Sequence, residues 1–194
     1  MSYIKTGWAL FTQYPFGFLA ILMINITSQV LLGYIPVVGD ILGFIISCPL
    51  LAGFYVGGLK LLQHQPVTFK DLFGGFNFFV QLVLANFLIA VFVVIGLVLL
   101  IAPGVYLMVA YFFVIPLIVD RRMNFWSAME TSRHTIGHIW FKMFGLFLLL
   151  LLLTLAGLLC FVVGILISTC VAFLAITAAY ADIMGIEGKY SGGA

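Results

Sequence analysis

Apolar residues run almost unbroken along this chain, so the interruptions carry the information. Six apolar runs stand out, at about 16–34, 36–62, 77–101, 104–119, 143–163 and 164–184. Most are close to the ~20 residues that cross a ~30 Å hydrocarbon core as a helix. Pro36 and Gly39 separate the first two runs, and Pro103-Gly104 in "IAPGVY" separates the third from the fourth. Proline fixes φ and glycine tolerates positive φ, which predicts a tight turn at that pair. No charged residue interrupts Met143–Met184 before Asp182. As one helix this stretch would be about 60 Å long, twice the hydrocarbon core, so it is expected to fold back. Gly157 and Gly164 are the candidate positions, with Gly164 preferred.

A short aromatic, mildly charged segment precedes every odd-numbered run: "IKTGWALFTQYPFGF", "FKDLFGGFNFF" and "FWSAMETSRHTIGHIWFK". The pattern predicts an all-α integral membrane protein, with about six transmembrane helices in three hairpins. Short amphipathic interfacial helices are expected before spans 1, 3 and 5. Residues 1–194 read as a single membrane domain, with repeat units at 1–65, 66–122 and 123–186. Two explanations of the repeat stand side by side: duplication of a hairpin, or the shared look of any hydrophobic hairpin. Pro49 and Pro116 fall within the second helix of the first two units, where proline kinks a helix. Gly74-Gly75 is expected to bend the chain into the third span.

Composition fixes the solvent. The chain is 65% hydrophobic and 7% charged, against about 25% charged in a soluble domain. Such a surface belongs in lipid. A net charge of +2 on so few charged residues leaves no basic groove for nucleic acid. Cys48, Cys160 and Cys170 lie in apolar runs at no zinc spacing, and read as small packing residues. Lys5 followed by an apolar run resembles a signal peptide. Tyr14-Pro15, Asn25 and Gln29 interrupt that run, so a retained first span is expected.

Charge also sets topology. The connections near 35–39, 102–104 and 163–164 hold no Lys or Arg, and all eight basic residues fall on the other side. The positive-inside rule then predicts both termini in the cytoplasm. A five-span chain would move Lys189 across.

On a helical wheel, Phe125, Met129, Ile136, Ile139 and Trp140 share one face, with Ser127, Glu130, Thr131, His134 and His138 opposite. Such a helix is expected in the interface, with Trp126 and Trp140 at headgroup depth. Arg121, Arg122, Arg133 and Lys142 then face anionic phospholipid, each contributing about 1 kcal/mol. The alternative is a metal site, since Glu130, His134 and His138 stand at i, i+4 and i+8. Against it, Thr135 occupies the place where zinc helices carry Glu. Gly137 is a candidate helix end, which would remove His138. Neither a metal nor a cofactor is expected.

Gly39, Gly43, Ser47, Gly53 and Gly57 form a small-residue stripe on the second span, expected to let helices approach closely. Asn25 and Gln29 in the first span, and Gln81 and Asn86 in the third, need partners in lipid. They predict hydrogen bonds between those spans, or a polar intramembrane site for a transported solute. No carboxylate lies mid-membrane to carry protons. Asp120 reads as a helix cap. The sequence holds no Ser-His-Asp set, P-loop or dinucleotide fingerprint.

The order "IAPGVYLMVAYFFVIPLIVD", "AMETSRHTIGHIWFKMFGLFLLL" and "AAYADIMG", with "YIPVVGDILGFIISCPLLAG" in the first half, resembles a large bacterial family. It comprises uncharacterised polytopic membrane proteins related to the membrane domain of glycerophosphoryl diester phosphodiesterases. The resemblance implies a six-helix membrane domain with interfacial helices. It carries no activity, because the phosphodiesterase chemistry of that relationship belongs to a separate soluble domain. The expected role is a non-catalytic scaffold or lipid-interacting protein of the bacterial cytoplasmic (inner) membrane. Its expected partners are anionic phospholipids, a second copy of the chain or another membrane protein. A permease and a membrane metalloenzyme are the alternatives.

Overall fold

The computed structural model describes residues 2–159 and 161–185; Cys160, Glu187 and Lys189 lie outside the described residues. Every regular element among the described residues is helical. The order is α1 (Ser2–Gln13), α2 (Pro15–Leu32), α3 (Val38–Leu62), a 3-10 segment (Phe69–Phe78), α4 (Phe79–Leu99), α5 (Ile101–Ala110), α6 (Val114–Arg121), α7 (Phe125–His138), α8 (Trp140–Leu159) and α9 (Phe161–Met184). Six helical stretches are long and apolar enough to cross a membrane: α2, α3, the 3-10 segment with α4, α5 with α6, α8, and α9 from Gly164. This is an all-α membrane-type fold. The short helices α1 and α7 precede the first and fifth spans, and the 3-10 segment opens the third.

The second and sixth spans are 56% buried and the third and fifth only 17%, which makes α3 and α9 the centre. Two apolar clusters share them. One gathers α1, α2 and the 3-10 segment around Phe18, Phe54, Leu72 and Leu174. The other gathers α4 to α8 around Phe113, Leu117, Ile136 and Tyr180. Outward faces carry bare Leu, Ile, Val and Phe, such as Val98, Ile101, Phe141 and Leu152. Apolar surface on this scale suits a lipid environment.

Each hairpin closes on a glycine. A Cβ on Gly39 would lie 1.8 Å from the Leu32 carbonyl oxygen, one on Gly96 would lie 2.9 Å from the Gly104 Cα, and one on Gly157 would lie 2.7 Å from the Gly164 oxygen. Without a Cβ the backbones touch, and packing replaces the hydrophobic effect between helices.

Several turns fall elsewhere than punctuation suggests. The first reversal occupies 33–37, and Gly39 sits inside α3 as a packing residue. Between spans three and four the chain breaks at extended Leu100 (φ −161°). Pro103 and Gly104 lie in the first turn of α5, where a missing N–H costs nothing because those amides have no helical partner. Gly157 lies inside α8 and Gly164 inside α9, so neither glycine is itself the turn. Gly74-Gly75 lies inside the 3-10 segment, which is followed directly by α4. Gly75 is needed for contact: its Cβ would lie 2.2 Å from the Pro49 carbonyl oxygen.

The two prolines behave differently. α3 continues through Pro49, with the Ser47 hydroxyl donating to the Phe44 carbonyl at 2.8 Å. The fourth span breaks at Tyr111–Phe113, one turn before Pro116, into α5 and α6. The proline ring crowds the carbonyl four residues back, here that of Phe112.

Candidate functional site

The segment richest in polar chemistry, α7 with its flanks, is held by the broken fourth span. Breaking that helix leaves backbone groups in need of partners. Ser132, fully buried, donates its hydroxyl to the Ala110 carbonyl at 2.7 Å and accepts from the Phe113 N–H at 3.3 Å. Ala128, Met129 and Ile136 share its face and are buried in the protein core. This corrects the expectation that the Met129/Ile136 face rests in lipid: it rests on α4, α5 and α6. Trp126 is exposed. Trp140 begins α8, stacks on Phe144 at 4.9 Å and on Tyr106 at 6.1 Å, and is half buried.

The outer face of α7 shows Ser127, Glu130, Arg133, His134 and His138. Arg133 donates to Glu130 at 2.8 Å, an exposed i, i+3 pair. The hydrogen bond to Glu130 and its negative charge raise the guanidinium above its ordinary value. Gly137 does not end the helix, which runs to His138. The His134 and His138 rings lie 4.9 Å apart, edge to face, but Glu130 is engaged by Arg133. Among the described residues, no three His, Cys, Asp or Glu side chains group to hold a metal ion.

Arg121, Arg122 and Lys142 flank α7 and are exposed. Among the described residues none of the three has an ion-pair partner; Lys60, by contrast, pairs with Asp71 at 2.8 Å. Arg122 ends α6 in the left-handed region (φ 51°), and Arg121 reaches the Met184 carbonyl at 3.5 Å. Asp120 is not a cap. It accepts the Tyr180 hydroxyl at 2.9 Å and so joins the C-terminal ends of α6 and α9. Tyr3 likewise donates to Asp182, which joins α1 to α9.

The four amides do not join the first span to the third through the bonds they make. Gln29 donates across the first hairpin to the Gly43 carbonyl at 3.0 Å. Asn86 turns back on the Leu82 carbonyl of its own helix at 2.9 Å, and Gln81 is exposed. Asn25 is buried, and its amide nitrogen lacks a partner among the described residues. On the small-residue stripe, Gly43 lies against Gln29, Gly53 against the Leu72 carbonyl and Gly57 against Phe18 and Leu72. Ser132, Asp120 and Tyr180 were not singled out as site residues by sequence reasoning. A serine on the apolar side of an amphipathic helix was the available signal for the first.

No family model, curated protein or solved structure matches the chain. The resemblance to the membrane domain of the phosphodiesterase-related family gains no support from these comparisons.

Proposed function

We propose that this chain is a non-catalytic lipid-interacting scaffold of the bacterial inner membrane, which gathers anionic phospholipid at the rim around α7. One observation carries the reading: Arg121, Arg122 and Lys142 are exposed, without ion-pair partners among the described residues, on a platform locked to the bundle by Ser132. Cations kept free of carboxylates suit phosphate oxygens, which accept charge-assisted hydrogen bonds. The segregation of Lys and Arg away from the hairpin tips supports a cytoplasmic rim and a cytoplasmic N-terminus. The family resemblance is the reason for placing the protein in bacteria.

The test is lipid retention by native mass spectrometry after gentle extraction. Arg121→Gln, Arg122→Gln and Lys142→Gln together are expected to remove ~3 kcal/mol of attraction, at about 1 kcal/mol per cation near an anionic surface. Retained phosphatidylglycerol should then fall to the level of phosphatidylcholine. Unchanged retention in a folded triple variant refutes the reading.

A permease is the second reading, and the buried nitrogen of Asn25, which has no partner among the described residues, is what favours it. It requires that Asn25→Leu abolish a solute flux in proteoliposomes.

A further inference from the structure

A second feature lies away from α7. A groove of about 710 Å³ opens between α1, α8 and α9, within the roughly 300–1,000 Å³ of small-molecule sites. Its floor is the seam where α8 meets α9 through Gly157, Gly164 and Ser168. A Cβ on Gly157 would lie 2.3 Å from the Ser168 Oγ and 2.7 Å from the Gly164 oxygen. Residues this small bring the helices together and leave no side chain to fill the space above. Trp8, Leu153 and Lys5 also line the groove. α1 is fixed as a wall because Gly7 packs on the backbone of Val171 and Ala175 and Tyr3 bonds Asp182.

The floor offers little to a polar solute. The Ser168 hydroxyl already donates to the Ile165 carbonyl at 3.1 Å. Charge enters through Lys5, which is exposed and has no ion-pair partner among the described residues. A hydrocarbon tail with an acidic head complements that combination.

We infer that the α1/α8/α9 groove binds one acyl chain of an anionic phospholipid from the surrounding bilayer, with its phosphate at Lys5. This rests on the lipid-interacting reading but concerns a different surface from the α7 rim. Trp8 borders the bound chain and so reports on it.

The protein contains three tryptophans, so Trp126→Phe with Trp140→Phe leaves Trp8 as the sole indole. The full chain is reconstituted in phosphatidylcholine vesicles. Trp8 quenching is compared for phosphatidylglycerol and phosphatidylcholine carrying dibrominated chains. At equal mole fraction the anionic lipid should quench more strongly. Lys5→Gln should lower that preference about fivefold. Ala156→Phe, at an exposed position lining the groove, should weaken quenching by both lipids. Equal quenching by the two lipids, or a preference that survives Lys5→Gln, overturns the proposal. The rim triple variant separates the two claims: it should keep the Trp8 preference, and a preference lost there but kept in Lys5→Gln refutes the groove alone.

Discussion

Ser132 of α7 bridges the break between α5 and α6, donating to the Ala110 carbonyl at 2.7 Å and accepting from the Phe113 N–H at 3.3 Å. One buried side chain thus serves both sides of a helix interruption and anchors the segment that presents the basic rim. Ser132→Ala removes both bonds and leaves two buried backbone groups without them. Each such group costs about 1–3 kcal/mol, so a loss of ~2–6 kcal/mol is expected. Thermal unfolding in detergent should show it, with faster hydrogen exchange in α7 than in α3. An unchanged midpoint would mean that the interruption does not depend on this serine.

The spans were legible because each is a long apolar run with few charges, a property of local sequence. The exact turns were less so. Pro103-Gly104 looks like a turn, yet proline is equally at home in the first turn of a helix, and Gly104 is needed against Gly96. Pro49 and Pro116 look alike in the sequence. They differ because Ser132, far along the chain, supplies partners at one break. The amphipathic pattern of α7 was legible, but a wheel cannot say whether an apolar face meets lipid or protein. Met129 and Ile136 meet protein. The amides show the same limit: a polar residue in an apolar run announces a need, and only the fold selects Gly43 for Gln29.

The Tyr180–Asp120 bond, 2.9 Å long, ties the ends of α6 and α9 beside the rim. A hydrogen bond to a charged acceptor contributes about 1.5–3 kcal/mol. Tyr180→Phe keeps the ring on Phe113, 5.6 Å away between centroids, and removes only the hydroxyl. A loss of about 2 kcal/mol is expected. Asp120→Asn retains an acceptor oxygen and should cost less. An Asp120→Asn variant as stable as the parent in unfolding titrations would contradict a charge-assisted bond.

Gln29 and Asn86 should respond differently to the same change. Gln29→Leu severs an inter-helix bond to Gly43, a kind that averages about 0.6 kcal/mol in a membrane protein. Asn86→Leu loses only a bond to its own helix, at the Leu82 carbonyl. It should be neutral or mildly stabilising in lipid, where an apolar side chain replaces an amide. Measured unfolding free energies that ranked Asn86→Leu as the more damaging would contradict this assignment.

Two glycines of α8 make the sharpest comparison. A Cβ added at Gly145 would meet nothing within 4 Å, whereas one at Gly157 would lie 2.3 Å from the Ser168 Oγ and 2.7 Å from the Gly164 oxygen. Gly145→Ala gains helix propensity without a clash, and should stabilise by about 0.5–1 kcal/mol. Gly157→Ala receives the same propensity gain but pushes α8 away from α9, an overpacking that costs about 1–3 kcal/mol. Adding Ser168→Ala removes the hydroxyl clash and leaves those with the Gly164 oxygen and the residue-168 Cβ, 2.9 Å away, so the double variant should recover only part of the loss. Full recovery would locate the strain in the serine side chain instead of the backbone contact. A stabilising Gly157→Ala would show that the α8/α9 seam is looser than its geometry requires, and that the groove floor can move.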